Sequence, residues 1–161
     1  MIDGLGIGEE SLENPLTAFS PRILRFFRGK LGPLPAQGSI VEPRVDGGVE
    51  GRPQSATNHT TLFTGINAPR LLGRHLSGFP NRTLREILGR HSIFQQLLDI
   101  GLQPTFANCY RPIFFQQRPR WVSASTVMSE AAGCRLRTLA DLASGRGVYM
   151  DITNSLIKEQ G

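Results

Sequence analysis

Five hydroxyl side chains surround a histidine in the stretch R-P-Q-S-A-T-N-H-T-T-L-F-T-G, residues 52–65. Ser55 precedes a segment, Ala56–Gly65, that suits a short helix ended by glycine. The first turn of a helix leaves backbone N–H groups without acceptors and carries partial positive charge, so it favours phosphate and stabilises a serine alkoxide. Ser55 could therefore attack a phosphate ester. The structural alternative is that Ser55 caps the helix by accepting a hydrogen bond from a backbone N–H.

A second candidate, Asp3, lies in the opening sequence M-I-D-G-L-G-I-G, which has the pattern of a strand end running into a glycine-rich loop. Ligands of open α/β sheets bind beyond the carboxyl ends of the strands, where a carboxylate is a natural ligand for a hard metal ion. The alternative for Asp3 is a loop residue that caps a turn. The G-x-G-x-G spacing argues against a dinucleotide site, which requires G-x-G-x-x-G. Asp3 and Ser55 together are two of the groups needed for metal-assisted phosphoryl transfer.

The histidines and cysteines indicate no further metal site. His59, His75 and His91 are 16 residues apart in succession, whereas a helical zinc pair requires a spacing of four. We expect His59 to cap or pack on its own helix. Cys109 and Cys134 lack a metal-type pairing and suit the reduced thiols of a cytoplasmic protein.

The composition fits one globular domain, since 39% of the 161 residues are hydrophobic and 19% are charged. No apolar run approaches the roughly 20 residues that cross a membrane, and the N-terminus lacks the pattern of a secretory signal. The net charge is +5, but the arginines are scattered and no aromatic ladder accompanies them. We therefore expect neither a nucleic acid nor a membrane as partner.

The elements that would position Ser55 and Asp3 alternate between helices and strands, which predicts an α/β fold with a mostly parallel sheet sandwiched by helices. A long loop covers residues 29–54. The predicted helices are Leu16–Phe27, Ala56–Gly65, one from the capping box Thr83–Glu86, one from the capping box Ser92–Gln95 to Gly101, Ala124–Ala132, Leu136–Ala143, and one starting at Asn154. The predicted strands are Pro104–Tyr110 and Gly147–Ile152.

Two motifs resemble the metalloenzyme domain of the alkaline phosphatase superfamily, which includes the cofactor-independent phosphoglycerate mutases and the phosphopentomutases. I-D-G-L-G-I-G is similar to the aspartate-glycine start of that domain, and G-R-P-Q-S-A-T-N-H-T to its nucleophile loop. In the nucleophile loop a serine or threonine lies four residues before a histidine, as Ser55 lies before His59. The family usually has glycine before the histidine, whereas this chain has Asn58, a residue that tolerates unusual backbone angles. T-F-A-N-C-Y and G-V-Y-M-D-I-T-N look like segments of a mutase-like branch.

The resemblance implies a phosphatase or phosphomutase that acts on a small phosphate ester. Asp3 and Ser55 would be ligands of two divalent metal ions (Mn, Mg or Zn), and Ser55 would be transiently phosphorylated. Thr57 and Asn58 would orient the phosphate. The family's C-terminal Asp/His ligands have no counterpart after Ser55, and both chain ends look cut. Residues 1–161 are therefore expected to be a partial, alkaline-phosphatase-like domain of a longer protein, inactive alone. The alternative is a non-catalytic α/β module that binds anions.

Overall fold

The computed structural model describes residues 8–19, 26–31 and 45–149, and the chain divides into two compact units, Met1–Pro43 and Arg44–Gly161. Asp3, the helix predicted from Asn154 and residues 32–44 of the predicted long loop lie outside the described residues. In the part of the chain that the structure describes, no helix has both the length and the apolar character needed to cross a membrane.

The smaller unit corrects the predicted helix Leu16–Phe27. Among the described residues, helix α1 covers Pro15–Phe19, and strands β1 (Phe26–Phe27) and β2 (Lys30–Leu31) form an antiparallel pair. The chain reverses between them at Gly29, whose φ of 74° is open to glycine at no steric cost. Phe26 and Phe27 therefore belong to a β-hairpin rather than to a helix, and Phe27 is buried.

The larger unit is a mixed α/β structure and mostly helical. Its elements in chain order are α2 (Ser55–Thr64), α3 (Ala68–Leu72), α4 (Arg82–His91), α5 (Ile93–Asp99), β3 (Asn108–Cys109), α6 (Pro112–Gln116), α7 (Ala124–Ala131), α8 (Leu139–Ala143) and β4 (Val148–Tyr149). Strands β3 and β4 are parallel, with Asn108 opposite Val148 and Cys109 opposite Tyr149. The two predicted strands are therefore confirmed as a parallel pair. β3 is shorter than the predicted Pro104–Tyr110, and residues 150–152 of the other predicted strand lie outside the described residues.

The core forms where α2, α4 and α7 pack against one another. Leu84 and Leu88 are four residues apart on α4, so they lie on one helix face, and both are fully buried. One buried cluster contains Leu84 with Ala56 of α2 and Ala68 of α3. The other contains Leu88 with residues of α7. Helix α4 thus joins both clusters and fixes α2, the helix that carries Ser55.

Side-chain caps set several helix boundaries. Ser92 Oγ accepts a hydrogen bond from Gln95 N–H at 3.3 Å, which confirms the predicted start of α5. The predicted cap of α4, Thr83, was wrong: the helix begins at Arg82, because Asn81 is the N-cap and its Oδ1 accepts from Leu84 N–H at 3.0 Å.

One further helix start and two whole helices also depart from the sequence prediction. Helix α8 begins at Leu139 rather than Leu136, since Thr138 and Asp141 form a capping box. Helices α3 and α6 were not predicted, because five residues with a proline in the first turn carry almost no periodicity.

Candidate functional site

The N-terminus of α2 leaves the Ser55 hydroxyl exposed. Ser55 is the first helical residue, and the N-cap is Gln54, with an extended backbone (φ −130°, ψ 149°) and no capping side-chain hydrogen bond. The side chain of Ser55 is exposed, and its Oγ has no hydrogen-bond partner within the described ranges. The interpretation of Ser55 as a helix cap is therefore wrong.

The other four hydroxyls of α2 are occupied. Each threonine donates to a backbone carbonyl about one turn earlier, a common arrangement that satisfies a hydroxyl inside a helix. The acceptors are Gln54 O for Thr57 (3.2 Å), Ala56 O for Thr60 (2.7 Å), Thr57 O for Thr61 (3.1 Å) and Thr60 O for Thr64 (2.7 Å). The run of hydroxyl residues thus contains one exposed, unpartnered oxygen, that of Ser55, among the residues described.

The backbone at the start of α2 is only partly satisfied. Ala56 N–H donates to Leu76 O at 3.2 Å, and Asn58 N–H donates to Gln54 O at 3.0 Å. Ser55 N–H has no backbone acceptor in the described part of the chain. No acidic residue lies in the first turn, so the partial positive charge of the helix end is not neutralised by its own side chains. This end of α2 can accept an anion next to Ser55 Oγ.

Thr57 and Asn58, predicted to orient a phosphate, both contact protein groups. Thr57 is fully buried, and its Oγ1 also accepts a 3.4 Å hydrogen bond from Leu76 N–H. Asn58 Nδ2 donates to Val45 O at 2.9 Å. Asn58 lies inside α2, so its backbone is helical and the departure from the family's glycine requires no unusual angle. Both side chains hold the helix start in place.

His59 packs on its own helix, as predicted, since its ring stacks on Phe63 with a centroid separation of 5.8 Å. Sequence reasoning missed three other residues at this site. Asn67, His75 and Leu76 hydrogen-bond to the chain on either side of Ser55. Only a three-dimensional arrangement reveals them, because they follow Ser55 by 12 to 21 positions in loops without a recognisable motif.

The metal side of the predicted site is not described, because Asp3 lies outside the described residues. Within residues 8–19, 26–31 and 45–149, no group of three or more His, Cys, Asp or Glu side chains is placed to hold a metal ion. The free hydroxyl of Ser55 is the group here that could bind a metal ion through its oxygen or donate a hydrogen bond to phosphate.

A charged cluster beside β3 serves the fold. Asp141 is buried and receives two hydrogen bonds from Arg135, at 2.7 and 2.9 Å, and one from Thr138 N–H at 2.9 Å. These donors, the Arg135 guanidinium first, hold the pKa of Asp141 well below its usual range. Because both carboxylate oxygens are occupied, this cluster leaves no acceptor for a ligand.

Both cysteines are free thiols, and burial raises the pKa of each. Cys109, in β3, is fully buried. Neither thiol has the lowered pKa of a nucleophile.

Comparison of the chain with protein-family models, with curated proteins and with solved structures finds no match. The features that bear on function are therefore the α2 site and the two sequence motifs.

Proposed function

We propose that this chain belongs to a metal-dependent enzyme of phosphoryl transfer, in which Ser55 attacks a small phosphate ester. The observation that carries the proposal is the state of Ser55 Oγ: exposed, at the positive end of α2, and without a partner among the described residues. Exposed serines are common on protein surfaces, so the proposal needs a second support. That support is the resemblance of residues 51–60 to a nucleophile loop.

In the proposed reaction, Ser55 Oγ forms a bond to phosphorus while the bond from phosphorus to the leaving oxygen breaks. The serine proton passes to solvent, and the leaving oxygen takes a proton from solvent. The oxygen of a water or of a substrate hydroxyl then bonds to phosphorus while the bond from phosphorus to Ser55 Oγ breaks; the attacking group releases its proton to solvent, and Ser55 Oγ takes one up. Attack by water makes the enzyme a phosphatase, and attack by a substrate hydroxyl makes it a phosphomutase. Ser55 N–H and the helix end stabilise the negative charge on the phosphoryl oxygens.

Ser55 and Asp3 are the residues that would hold divalent metal ions (Mn, Mg or Zn), as the resemblance implies. When bound, such ions neutralise phosphate charge and lower the pKa of the hydroxyl. Thr57 and Asn58 act on the phosphate indirectly in this proposal, because their hydrogen bonds hold the first turn of α2 to Leu76 and Val45.

The proposal extends to the fold and the setting of the protein. The parallel pair β3–β4 is part of a larger, mostly parallel, alkaline-phosphatase-like sheet, and the free thiols of Cys109 and Cys134 support a cytoplasmic location. The partner is a small phosphorylated substrate rather than nucleic acid or membrane.

The test is covalent labelling of Ser55 in the full-length gene product. The protein is incubated with Mn²⁺ and acetyl phosphate, a small phosphoryl donor, and digested with trypsin. The peptide from Val45 to Arg70 carries Ser55, because trypsin does not cleave between Arg52 and Pro53. Fragmentation should place the phosphate on Ser55 and on none of the four threonines.

Two variants decide the outcome. Ser55→Ala should abolish labelling, whereas Ser77→Ala, at another exposed serine, should leave it unchanged. Saturable binding of inorganic phosphate with no label at Ser55 would instead establish the non-catalytic anion-binding module.

A further inference from the structure

The turn that precedes α2 is held by three side chains from later in the chain. Carbonyl groups at alternate positions of the turn each accept one side-chain N–H. The pairs are Asn58 Nδ2 with Val45 O (2.9 Å), Asn67 Nδ2 with Gly47 O (2.8 Å) and His75 Nε2 with Val49 O (3.2 Å). We call these three pairs the turn clamp. A carbonyl only accepts, so His75 Nε2 is the donor of its pair.

Close packing supports the turn clamp independently. A Cβ added at Gly47, where φ is 58°, would lie 2.7 Å from Asn67 Oδ1 and 3.1 Å from Pro69 Cγ. A Cβ added at Gly51 would lie 3.5 Å from the His75 ring. The turn therefore lies directly against the residues that donate to it.

His75 and its neighbour Leu76 fix both ends of the segment that contains Ser55. His75 bonds to Val49, six residues before Ser55. Leu76 bonds through its carbonyl to Ala56 N–H and through its N–H to Thr57 Oγ1, directly after Ser55. Two adjacent residues thus close a loop around residues 50–55, and movement of either end displaces Ser55 Oγ.

We propose that the turn clamp sets the position of Ser55 for attack, which makes His75 and Asn67 positioning residues. This inference rests on the proposed phosphoryl transfer through Ser55. Displacing a reacting group by about 1 Å costs on the order of 100-fold in rate, so a loosened turn should lower kcat.

The experiment compares His75→Phe with His75→Gln in the full-length gene product. Phenylalanine keeps a ring but has no donor, whereas the Gln amide places an N–H near the position of His75 Nε2. Two quantities are measured: amide hydrogen exchange of Val49 and Ala56, whose N–H groups donate to Asp46 O and Leu76 O on either side of residues 50–55, and the kcat and KM for hydrolysis of an aryl phosphate with Mn²⁺. His91→Phe, at an exposed histidine at the end of α4, is the matched control.

We expect His75→Phe to speed exchange of the Val49 and Ala56 amides and to lower kcat, each by about tenfold or more, with KM changed far less. His75→Gln should restore both quantities, and His91→Phe should change neither. If His75→Phe does not fold, Asn67→Asp tests the same clamp. Its carboxylate still accepts from Arg70 N–H, as Asn67 Oδ1 does at 3.1 Å, but it has no donor for Gly47 O.

The outcomes separate this inference from the proposed function. Unchanged exchange in His75→Phe overturns the clamp, and faster exchange with unchanged kcat overturns its role in positioning Ser55. A wild-type protein without turnover or Ser55 labelling overturns the proposed function. In that case the structural part of the inference can still stand. If His75→Phe speeds exchange and His75→Gln restores the wild-type rate, the turn clamp still orders the segment that contains Ser55.

Discussion

The hydroxyl of Thr60 lies 2.7 Å from the carbonyl oxygen of Ala56, one turn earlier in α2, and both residues are buried. Ser55, at the start of the same helix, is exposed and has no such acceptor among the described residues. The contrast explains why one short helix tolerates so many hydroxyl residues. Four of them satisfy their oxygens inside the helix, and one is left for solvent or a ligand.

Removal of these two hydroxyls should have different effects on stability. Thr60→Ala loses a buried hydrogen bond and a buried methyl group, so the free energy of unfolding should fall by about 1–2 kcal/mol. Ser55→Ala should change it by less than about 0.5 kcal/mol, as is usual for exposed sites. Urea denaturation measures both. A loss at Ser55 equal to that at Thr60 would show that Ser55 Oγ has a structural partner.

Leu84 should be among the most sensitive core positions, because it is fully buried and links α4 to α2 and α3. Leu84→Ala should lower the free energy of unfolding by about 2–5 kcal/mol through lost burial and the remaining cavity. Leu62→Ala on α2 is the control, since Leu62 is 61% exposed. Similar losses at the two leucines would contradict the packing of α4 on α2.

Replacement of Gly147 and of Gly89 by alanine should change the free energy of unfolding in opposite directions. A Cβ at Gly147 would overlap Cys109 Sγ and lie 3.1 Å from Ala107 O, so Gly147→Ala should cost about 1–3 kcal/mol in the free energy of unfolding. A Cβ at Gly89, inside α4, would meet Ala131 Cβ at an ordinary 3.7 Å. Gly89→Ala should therefore stabilise by about 0.5–1 kcal/mol. Thermal unfolding of both variants tests the contact between β4 and β3.

The stability of the larger unit should depend on pH through Asp141. Hydrogen bonds from Arg135 and Thr138 lower the pKa of Asp141 from its ordinary 3.8, so the ionised form stabilises the fold above that pH. This contribution should be lost progressively as the pH falls below about 4, where the unfolded state binds a proton more readily.

Asp141→Asn should reduce stability at neutral pH and flatten its decline in acid. Urea unfolding at pH 6 and at pH 3 measures both effects. Glu86→Gln is the control, because the ion pair of Glu86 with Arg82 is largely exposed to solvent and contributes little. If the free energy of unfolding of Asp141→Asn falls between pH 6 and pH 3 as much as that of the wild type, other carboxylates cause the loss of stability in acid.

The sequence predicted the elements whose determinants are local. Helix α2 was placed to within one residue at each end, because Gly65 supplies the left-handed C-cap with φ 74°. The start of α5 was predicted from Ser92. Phe26 and Phe27 were assigned wrongly, since an apolar pair suits a helix face as well as a strand, and the deciding residue, Gly29, lies beyond it.

The candidate site was predictable only in part for the same reason. Ser55 was selected by its position before a helix, a local feature. Its hydroxyl is free because the N-cap is Gln54 and Ser55 is the first helical residue. The sequence alone does not distinguish these two positions, because helix boundaries are uncertain by one or two residues. The donors His75 and Asn67 act on carbonyls 26 and 20 residues away, and no periodicity encodes such pairs.

The turn clamp also has a consequence for the order of folding. Its three hydrogen bonds join residues separated by 13, 20 and 26 positions, so each closes a loop whose entropy must be paid before the bond contributes. Helix α2, which carries Asn58, and helix α3, which Asn67 caps, form from local contacts and can be in place first. The chain just before Ser55 is therefore among the last parts of this unit to become ordered and, on local unfolding, among the first to open.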